Sequence, residues 1–370
     1  MKIGFDAKRL FHNTTGLGNY SRDLIRILAK YYPENYYFLY NPKVQSKNLL
    51  INNAASIIEK RPNSFLSKKL KSLWRSFGIS SELKKDSIEI YHGLSGEIPF
   101  FIPKNIKKIV TIHDLIFIRY PKLYSFWDRN IHFLKFKYAA FKSDKIIAIS
   151  EQTKQDIIDY LKIDSTKIEI IYQGCAAVFK EVIDESDLEM VRKKFNLPEK
   201  FILNVGTIEP RKNALNIVKS IQNTDIHLFL IGRKTAYYAQ IDAFITENKM
   251  SNVTHLSNIS QFELACMYRL ASIFVYPSIF EGFGIPIIEA LYSKTPVITN
   301  KNGVFPEAGG PNSVYVDPNS ITDIQNAILD LWTNDEKRLE IANEGFQFVQ
   351  KFNDELLAKS WGTMYKNLIE

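Results

Sequence analysis

The chain has 370 residues, 45% of them hydrophobic and 24% charged, with 48 Lys and Arg against 40 Asp and Glu for a net charge of +8. That length buries two cores of ordinary size, so two domains are expected. Cys175 and Cys266 are the two cysteines, far apart and in no metal-binding spacing, and so small a number indicates a reducing compartment and no disulfide framework. No apolar run reaches the ~18 residues that a membrane span needs, and Asp6, Lys8 and Arg9 interrupt any leader-like start, so a cytoplasmic protein is expected. The charge is divided unevenly: residues 1–180 carry 30 Lys and Arg against 16 Asp and Glu, or +14, and residues 181–370 carry 18 against 24, or −6. Zinc spacing, a helix-turn-helix and an aromatic RNA-binding signature are all missing, so no nucleic-acid partner is expected; an anionic membrane or a lipid-diphosphate acceptor fits the basic half better.

In chain order, Lys2–Phe5 reads as a strand and is followed by Gly16-Leu17-Gly18-Asn19-Tyr20, a glycine loop before a helix expected to begin near Tyr20. A dinucleotide fingerprint, and with it an oxidoreductase, is opposed by Ser21 where a third glycine belongs and by Tyr40-Asn41 after the second strand, where an acid belongs. The other reading of the loop is a plain tight turn. After the strand Tyr36–Leu39, the residues Phe65, Leu66, Leu70, Leu73, Trp74 and Phe77 make an apolar stripe interleaved with Lys68, Lys69, Lys71 and Arg75. This basic amphipathic segment either packs on its own sheet or touches a membrane. Strands Ile88–Tyr91 and Ile109–Ile112 end at His92 and at His113-Asp114, at carboxyl ends where ligands bind in open α/β sheets; Asp114 also suits a cap. Ile146–Ile149 closes the first set, and the acidic, weakly periodic Glu181–Asp187 reads as a linker region.

The second half repeats the plan with strands Phe201–Val205, His227–Ile231, Val253–Leu256, Ile273–Tyr276 and Pro296–Thr299, so the whole chain reads as two doubly wound parallel sheets. Two loops carry chemistry. Phe201–Val205 ends in Gly206-Thr207-Ile208-Glu209-Pro210-Arg211-Lys212-Asn213, where a guanidinium that forks onto phosphate oxygens sits beside a lysine point charge, the pair a departing diphosphate needs. Ile273–Tyr276 leads to Glu281-Gly282-Phe283-Gly284 and a helix containing Glu289. The glycines let backbone N–H groups approach a ligand. A spacing of eight places Glu289 deeper on nearly the same helical face as Glu281, one carboxylate for a sugar and one for ribose hydroxyls; the other reading is two solvated glutamates. Ile259, between Asn258 and Ser260 at a strand end, is a candidate for contact with the base.

Taken together, these segments resemble the retaining glycosyltransferases of the GT-B fold that carry an E-x7-E motif, glycosyltransferase family 4 of mannosyltransferase-like type. Ala148-Ile149-Ser150-Glu151, Phe305-Pro306-Glu307 and Val316-Asp317-Pro318 match further pieces in order, and Tyr172-Gln173-Gly174 departs from the commoner His or Asn before glycine. The resemblance implies an acceptor-side Rossmann-like domain at residues 1–180, a nucleotide-sugar domain at 181–353 and a last helix, about 354–370, returning to the first domain. It implies that Gly16 and Gly18 face the donor diphosphate and that His113 lies beside the transferred sugar. On the donor side stand Gly282, Phe283, Gly284, Glu289 and Ile259; His92 and Asp114 are acceptor-side candidates.

A donor-half Asp-x-Asp is lacking, so Arg211 and Lys212 are expected to replace a metal ion in stabilising the leaving group. Retention of configuration is implied by the resemblance. Glu281 is expected to bind the sugar, and no residue is assigned as a nucleophile. The expected function is transfer of a hexose, mannose from GDP-mannose by preference, to a lipid-linked or surface-polysaccharide glycan, with no cofactor beyond the nucleotide sugar. A UDP-hexose transferase, a sugar-nucleotide epimerase and a noncatalytic glycan-binding protein are the alternatives. A phosphorylase would need a pyridoxal-binding lysine motif that is not found.

Overall fold

Short Ile-, Val- and aromatic-rich runs bounded by turn residues form parallel strands covered on both faces. The computed structural model describes residues 1–44, 54–62 and 70–370. They divide into two compact units, Met1–Gly174 with Phe352–Glu370, and Cys175–Lys351. The first contains β1 (Lys2–Asp6), β2 (Tyr36–Tyr40), β3 (Ile57–Lys60), β4 (Ile90–Gly93), β5 (Lys107–Ile112), β6 (Lys145–Ala148) and β7 (Ile168–Ile170). The second contains β8 (Ile202–Val205), β9 (Leu228–Ile231), β10 (Val253–Leu256), β11 (Ile273–Tyr276), β12 (Val297–Asn300) and β13 (Val314–Val316). Every strand expected from the sequence is present; β3, β7 and β13 join as additional edge or near-edge strands of three or four residues, too short to show a period.

The first sheet runs β3-β2-β1-β4-β5-β6-β7 and the second β10-β9-β8-β11-β12-β13, with every pairing parallel. Because successive strand residues point to opposite faces, Phe38 and Tyr40 enter one core with Tyr91 and Val110, while Tyr37 and Leu39 enter the other with Ile90 and Ile109. The second of these cores also takes Trp361, Met364 and Tyr365 from the helix Asp354–Ile369, which an Arg26–Asp354 ion pair of 2.7 Å fastens to the helix Gly16–Tyr31. In the other unit, Ile202, Leu228, Ile273 and Ile298 of the sheet pack against Ile217, Ile324 and Ile328 from its helices.

Three expectations are corrected. The helix expected near Tyr20 begins at Gly16, so both glycines lie in its first turn rather than in a loop. Glu181–Asp187 is not a linker throughout: a helix starts at Glu185, and the units divide between Gly174 and Cys175. In the basic amphipathic segment, Trp74 is buried and Arg75 bonds Asp6 and Glu97 through its guanidinium, which takes these two out of the outward stripe, while Leu70, Lys71, Leu73 and Phe77 are exposed; Phe65, Leu66, Lys68 and Lys69 lie outside the described residues. Among the described residues no helix is long and apolar enough to cross a membrane.

Candidate active site

In the second unit the chain leaves β8 toward β9 and leaves β11 toward β12, so two neighbouring strands send their connections in opposite directions. The loops at their carboxyl ends part there, the place where open parallel sheets bind ligands. Asn204 stitches the two strands by donating to the Val275 carbonyl at 2.8 Å, and the Ile279 N–H donates to the Arg211 carbonyl at 2.9 Å. Asn213, with a left-handed φ of 61°, donates to the carbonyl of Pro318 at 2.6 Å, which gives the Val316-Asp317-Pro318 segment its structural role.

Those clips bring Arg211, Lys212 and Glu281 together. Glu281 Oε1 accepts from Arg211 Nη1 at 2.8 Å, from Lys212 Nζ at 2.6 Å and from the Tyr276 hydroxyl at 3.0 Å. Arg211 is oriented further by the Phe280 carbonyl at 2.6 Å and by Glu209 at 2.6 Å. Burial alone would raise the Glu281 carboxyl, but Lys212 and Arg211 outweigh it and hold the group at about 2, so the carboxylate is ionised; burial draws the Lys212 ammonium down from its ordinary value, with Glu281 opposing. Lys212 also bonds the Tyr276 hydroxyl. The result is a pair of fixed cations, partly neutralised by Glu281 and Glu209, at the switch point of the sheet.

Glu281 precedes the helix Ile285–Tyr292, so helical periodicity does not relate it to Glu289. Glu289 lies inside that helix, is 8% exposed and accepts from the Tyr268 hydroxyl at 3.1 Å. Its burial, opposed only weakly by that bond, pushes the carboxyl up to about 7. Gly284 caps the helix with φ 113°, a conformation that excludes ordinary side chains. Pro286 follows within the first turn and offers no N–H, which reduces the donors expected at this end. The Phe283 side chain is buried, leaving it and Gly282 only backbone to present to a ligand. Ile259 is half-buried between Asn258, whose φ is 59°, and Ser260, which caps the next helix in a capping box with Glu263.

The first unit holds the remaining candidates. Its switch point lies between β1 and β4, and His113 follows β5, the next strand along. The His113 ring donates from Nε2 to the Leu94 carbonyl at 2.9 Å and accepts on Nδ1 from Gln173 at 2.8 Å, a pairing that sets the Nε2–H tautomer. Burial draws its pKa down to about 4. His113 is therefore neutral with both nitrogens engaged, and a hydroxyl contact through the ring requires exchange of one of these bonds. Gln173, where the sequence departs from the commoner pattern, is the residue that holds it. Tyr20 meets the same ring edge to face with centroids 4.6 Å apart, which joins the second turn of the glycine helix to the end of β5.

His92 is corrected from an acceptor-side candidate to a core residue. It is wholly buried, with Nδ1 at 2.8 Å from the Tyr365 hydroxyl and Nε2 at 2.8 Å from the Thr111 hydroxyl, and burial lowers it to about 3. Asp114 accepts the Ile116 N–H at 3.1 Å, a local turn that leads into the short helix Ile116–Arg119, whose N-cap position is Leu115. Gly18 is required by close approach: a Cβ there would stand 1.8 Å from the Asn13 carbonyl oxygen, whereas one at Gly16 would meet nothing within 4 Å. A buried group that the sequence reading did not connect is Asp6–Arg75–Glu97, with Arg75 bonded to Asp6 Oδ2 at 2.5 Å and to Glu97 at 2.6 Å. Its three members are separated by 69 and 22 positions, and no local spacing relates them.

Two parallel sheets of seven and six strands, with charged loops at a switch point, define the GT-B class of fold. Sucrose-phosphate synthase (tll1590) from Thermosynechococcus elongatus has this architecture with a TM-score of 0.82 and 21% identity, the match covering 100% of this chain and 99% of that one. The chain belongs to the group 1, or family 4, glycosyltransferases: residues 186–348 match the family described as Glycosyl transferases group 1, and residues 15–176 match Glycosyltransferase Family 4. The O-antigen chain mannosyltransferase RfbU of Salmonella typhimurium is 30% identical over 230 residues, which is 61% of this chain and 61% of that one. The O-antigen chain mannosyltransferase B of Escherichia coli is 25% identical over 100% of both chains.

Proposed function

We propose that the protein transfers a hexose, mannose from GDP-mannose, to a lipid-linked or surface-polysaccharide glycan, with retention of configuration and without a metal ion, at the cytoplasmic face of an anionic membrane. The observation that carries this reading is the buried convergence of Arg211 and Lys212 on Glu281 at the carboxyl ends of β8 and β11. As the bond from the anomeric carbon to phosphate breaks, negative charge builds on the diphosphate. Cations already fixed in a site of low polarity stabilise that charge more than water does, since they need no reorientation. Arg211, aimed by the Phe280 carbonyl and Glu209, supplies a fork for two oxygens, and Lys212 a point charge.

Glu281 has two parts in this scheme. In the empty site it neutralises the cations, and with donor bound its carboxylate accepts hydroxyl groups of the sugar. Glu289 accepts the ribose hydroxyls, and the backbone around Ile259 meets the base. Kept neutral by burial, with both ring nitrogens engaged by Leu94 and Gln173, His113 shapes the acceptor side rather than moving a proton. The preference for mannose is supported by the mannosyltransferases among the relatives.

Calorimetric titration with GDP, UDP, GDP-mannose and UDP-glucose in the absence of metal tests the reading. Selective binding of GDP and GDP-mannose is expected; selectivity for the UDP compounds would transfer the proposal to a UDP-hexose, and no binding to any of them would overturn it. Transfer to a glycan acceptor should survive a chelator, so loss of turnover that magnesium restores would refute the role given to the two cations. Donor turnover without any acceptor would indicate an epimerase instead.

A further inference from the structure

We propose that the solvent face of the helix Phe126–Lys142 is the surface by which this protein lies on an anionic lipid bilayer. At ~100° per residue, Trp127, Ile131, Leu134, Tyr138 and Phe141 fall within one narrow stripe. The stripe faces water: Trp127 is 75% exposed, Leu134 66%, Phe141 53% and Ile131 51%. The opposite side of the helix is anchored by Ala139 and Ala140, both fully buried. Phe133 and Phe136 pack against the core on that side as well, so the helix is apolar on both faces and leaves Trp127, Ile131, Leu134 and Phe141 turned outward, where a surface helix ordinarily carries polar residues.

The apolar surface continues beyond the helix. Tyr138 packs on Phe100 with ring centroids 4.5 Å apart, Phe100 on Phe77 at 5.1 Å, and Phe77 lies 6.1 Å from Phe101, which is 80% exposed. Cations rim the stripe: the helical arc places Lys135 and Lys142 along one edge and Lys137 along the other, with Lys137 Nζ 5.9 Å from the Phe141 ring centre. Long lysine stems can lie along apolar surface while their ammonium groups reach lipid headgroups.

Charge selects the occupant. Residues 122–142 carry Lys122, Arg129, Lys135, Lys137 and Lys142 against Asp128 alone. A second copy docked on the same face by two-fold symmetry would set these cations against their equivalents, whereas an anionic bilayer accepts both the apolar stripe and its basic rim. The helix begins thirteen residues after His113, which stands at the carboxyl end of β5. Docking here would hold that sheet edge close to lipid headgroups, where a lipid-linked acceptor resides. The inference deepens the proposed function, resting on it for that purpose, but the surface is tested without any sugar donor.

The experiment is cosedimentation of the full chain with vesicles of phosphatidylcholine containing one third phosphatidylglycerol, and with phosphatidylcholine alone. Binding to the anionic vesicles is expected, weaker on the neutral ones and weakened by salt. Trp127→Glu/Leu134→Glu, at two exposed positions, should reduce binding at least tenfold while leaving the thermal midpoint and nucleotide binding unchanged. Lys137→Gln/Lys142→Gln should reduce it about threefold and remove much of the salt dependence, and this pair decides the matter alone should the first variant not fold. Failure of the wild type to bind, or equal binding by the variants, would overturn the proposal. So would a wild-type dimer in sedimentation velocity that Trp127→Glu/Leu134→Glu turns into monomer, which would assign the face to a second copy. Vesicle binding without nucleotide binding would instead fault the sugar-transfer reading.

Discussion

Glu289→Gln isolates one carboxyl whose protonation the fold alters. Burial moves this group from its ordinary 4.5 up to about 7, against a weaker pull downward from the Tyr268 hydroxyl. The folded state therefore holds the proton more tightly than the unfolded chain. The stability this group contributes is full below about pH 4.5, declines as pH rises toward about 7, and is gone above it. At about 1.36 kcal/mol per pH unit, the difference amounts to about 3 kcal/mol. Glutamine has the same shape and still accepts from Tyr268, so the variant should match the wild type near pH 4.5 and exceed it by up to about 3 kcal/mol at pH 8. Urea unfolding from pH 5 to pH 8, with the two proteins compared at each pH, reads that divergence. The same variant tests the ribose contact: if ribose hydroxyls donate to the carboxylate, wild-type nucleotide affinity rises as pH passes through about 7 and the variant's does not. Parallel stability profiles across the whole range would refute the buried, protonated state of Glu289.

Glu281→Gln should destabilise the second unit by about 3–5 kcal/mol, because it leaves Arg211 and Lys212 facing each other without their shared anion. Adding Lys212→Met should recover much of that loss in thermal unfolding, and additive effects would refute a coupled cluster. Gly18→Ala should cost about 2 kcal/mol or more, since its Cβ would meet the Asn13 carbonyl at 1.8 Å; Gly16→Ala, with open space and a helical position, should be neutral or stabilising by up to about 1 kcal/mol. Gln173→Leu should cost about 1–3 kcal/mol by leaving the His113 Nδ1 acceptor without its donor. Nitrogen-15 spectra of the wild type should show His113 as the Nε2–H tautomer, and the Nδ1–H form would contradict the assigned bonds.

Much of the site was legible because its residues sit beside the strands that carry them. Arg211-Lys212 directly follows one short apolar run and Glu281 another, and loops at the carboxyl ends of parallel strands are where side chains leave the core. That two such loops meet was an inference from likeness alone, for residues 69 positions apart share no local pattern. The strand order supplies the cause: β8 and β11 are neighbours whose connections diverge. Histidine shows the opposite case. His92 and His113 each end a strand and look alike in sequence, and both are buried, yet one is sealed among Tyr365, Thr111 and Trp361 while the other is held between the Leu94 carbonyl and Gln173.

Strand identity and the parallel, twice-repeated plan were determined by the sequence itself, because β-branched and aromatic runs too short for helices recur between helical stretches. Its composition also placed the positive charge in the first half. Which cations remain available to a partner was decided only by tertiary structure. Arg75 belongs by its local pattern to a basic amphipathic stripe, but the fold buries it between Asp6 and Glu97. The helix Phe126–Lys142 has apolar residues all round and gives no one-sided signal, and only its seating on Ala139 and Ala140 shows which side meets water. Spacing along the chain fixes the face on which a side chain stands; what covers that face depends on segments far away in sequence, brought there by packing.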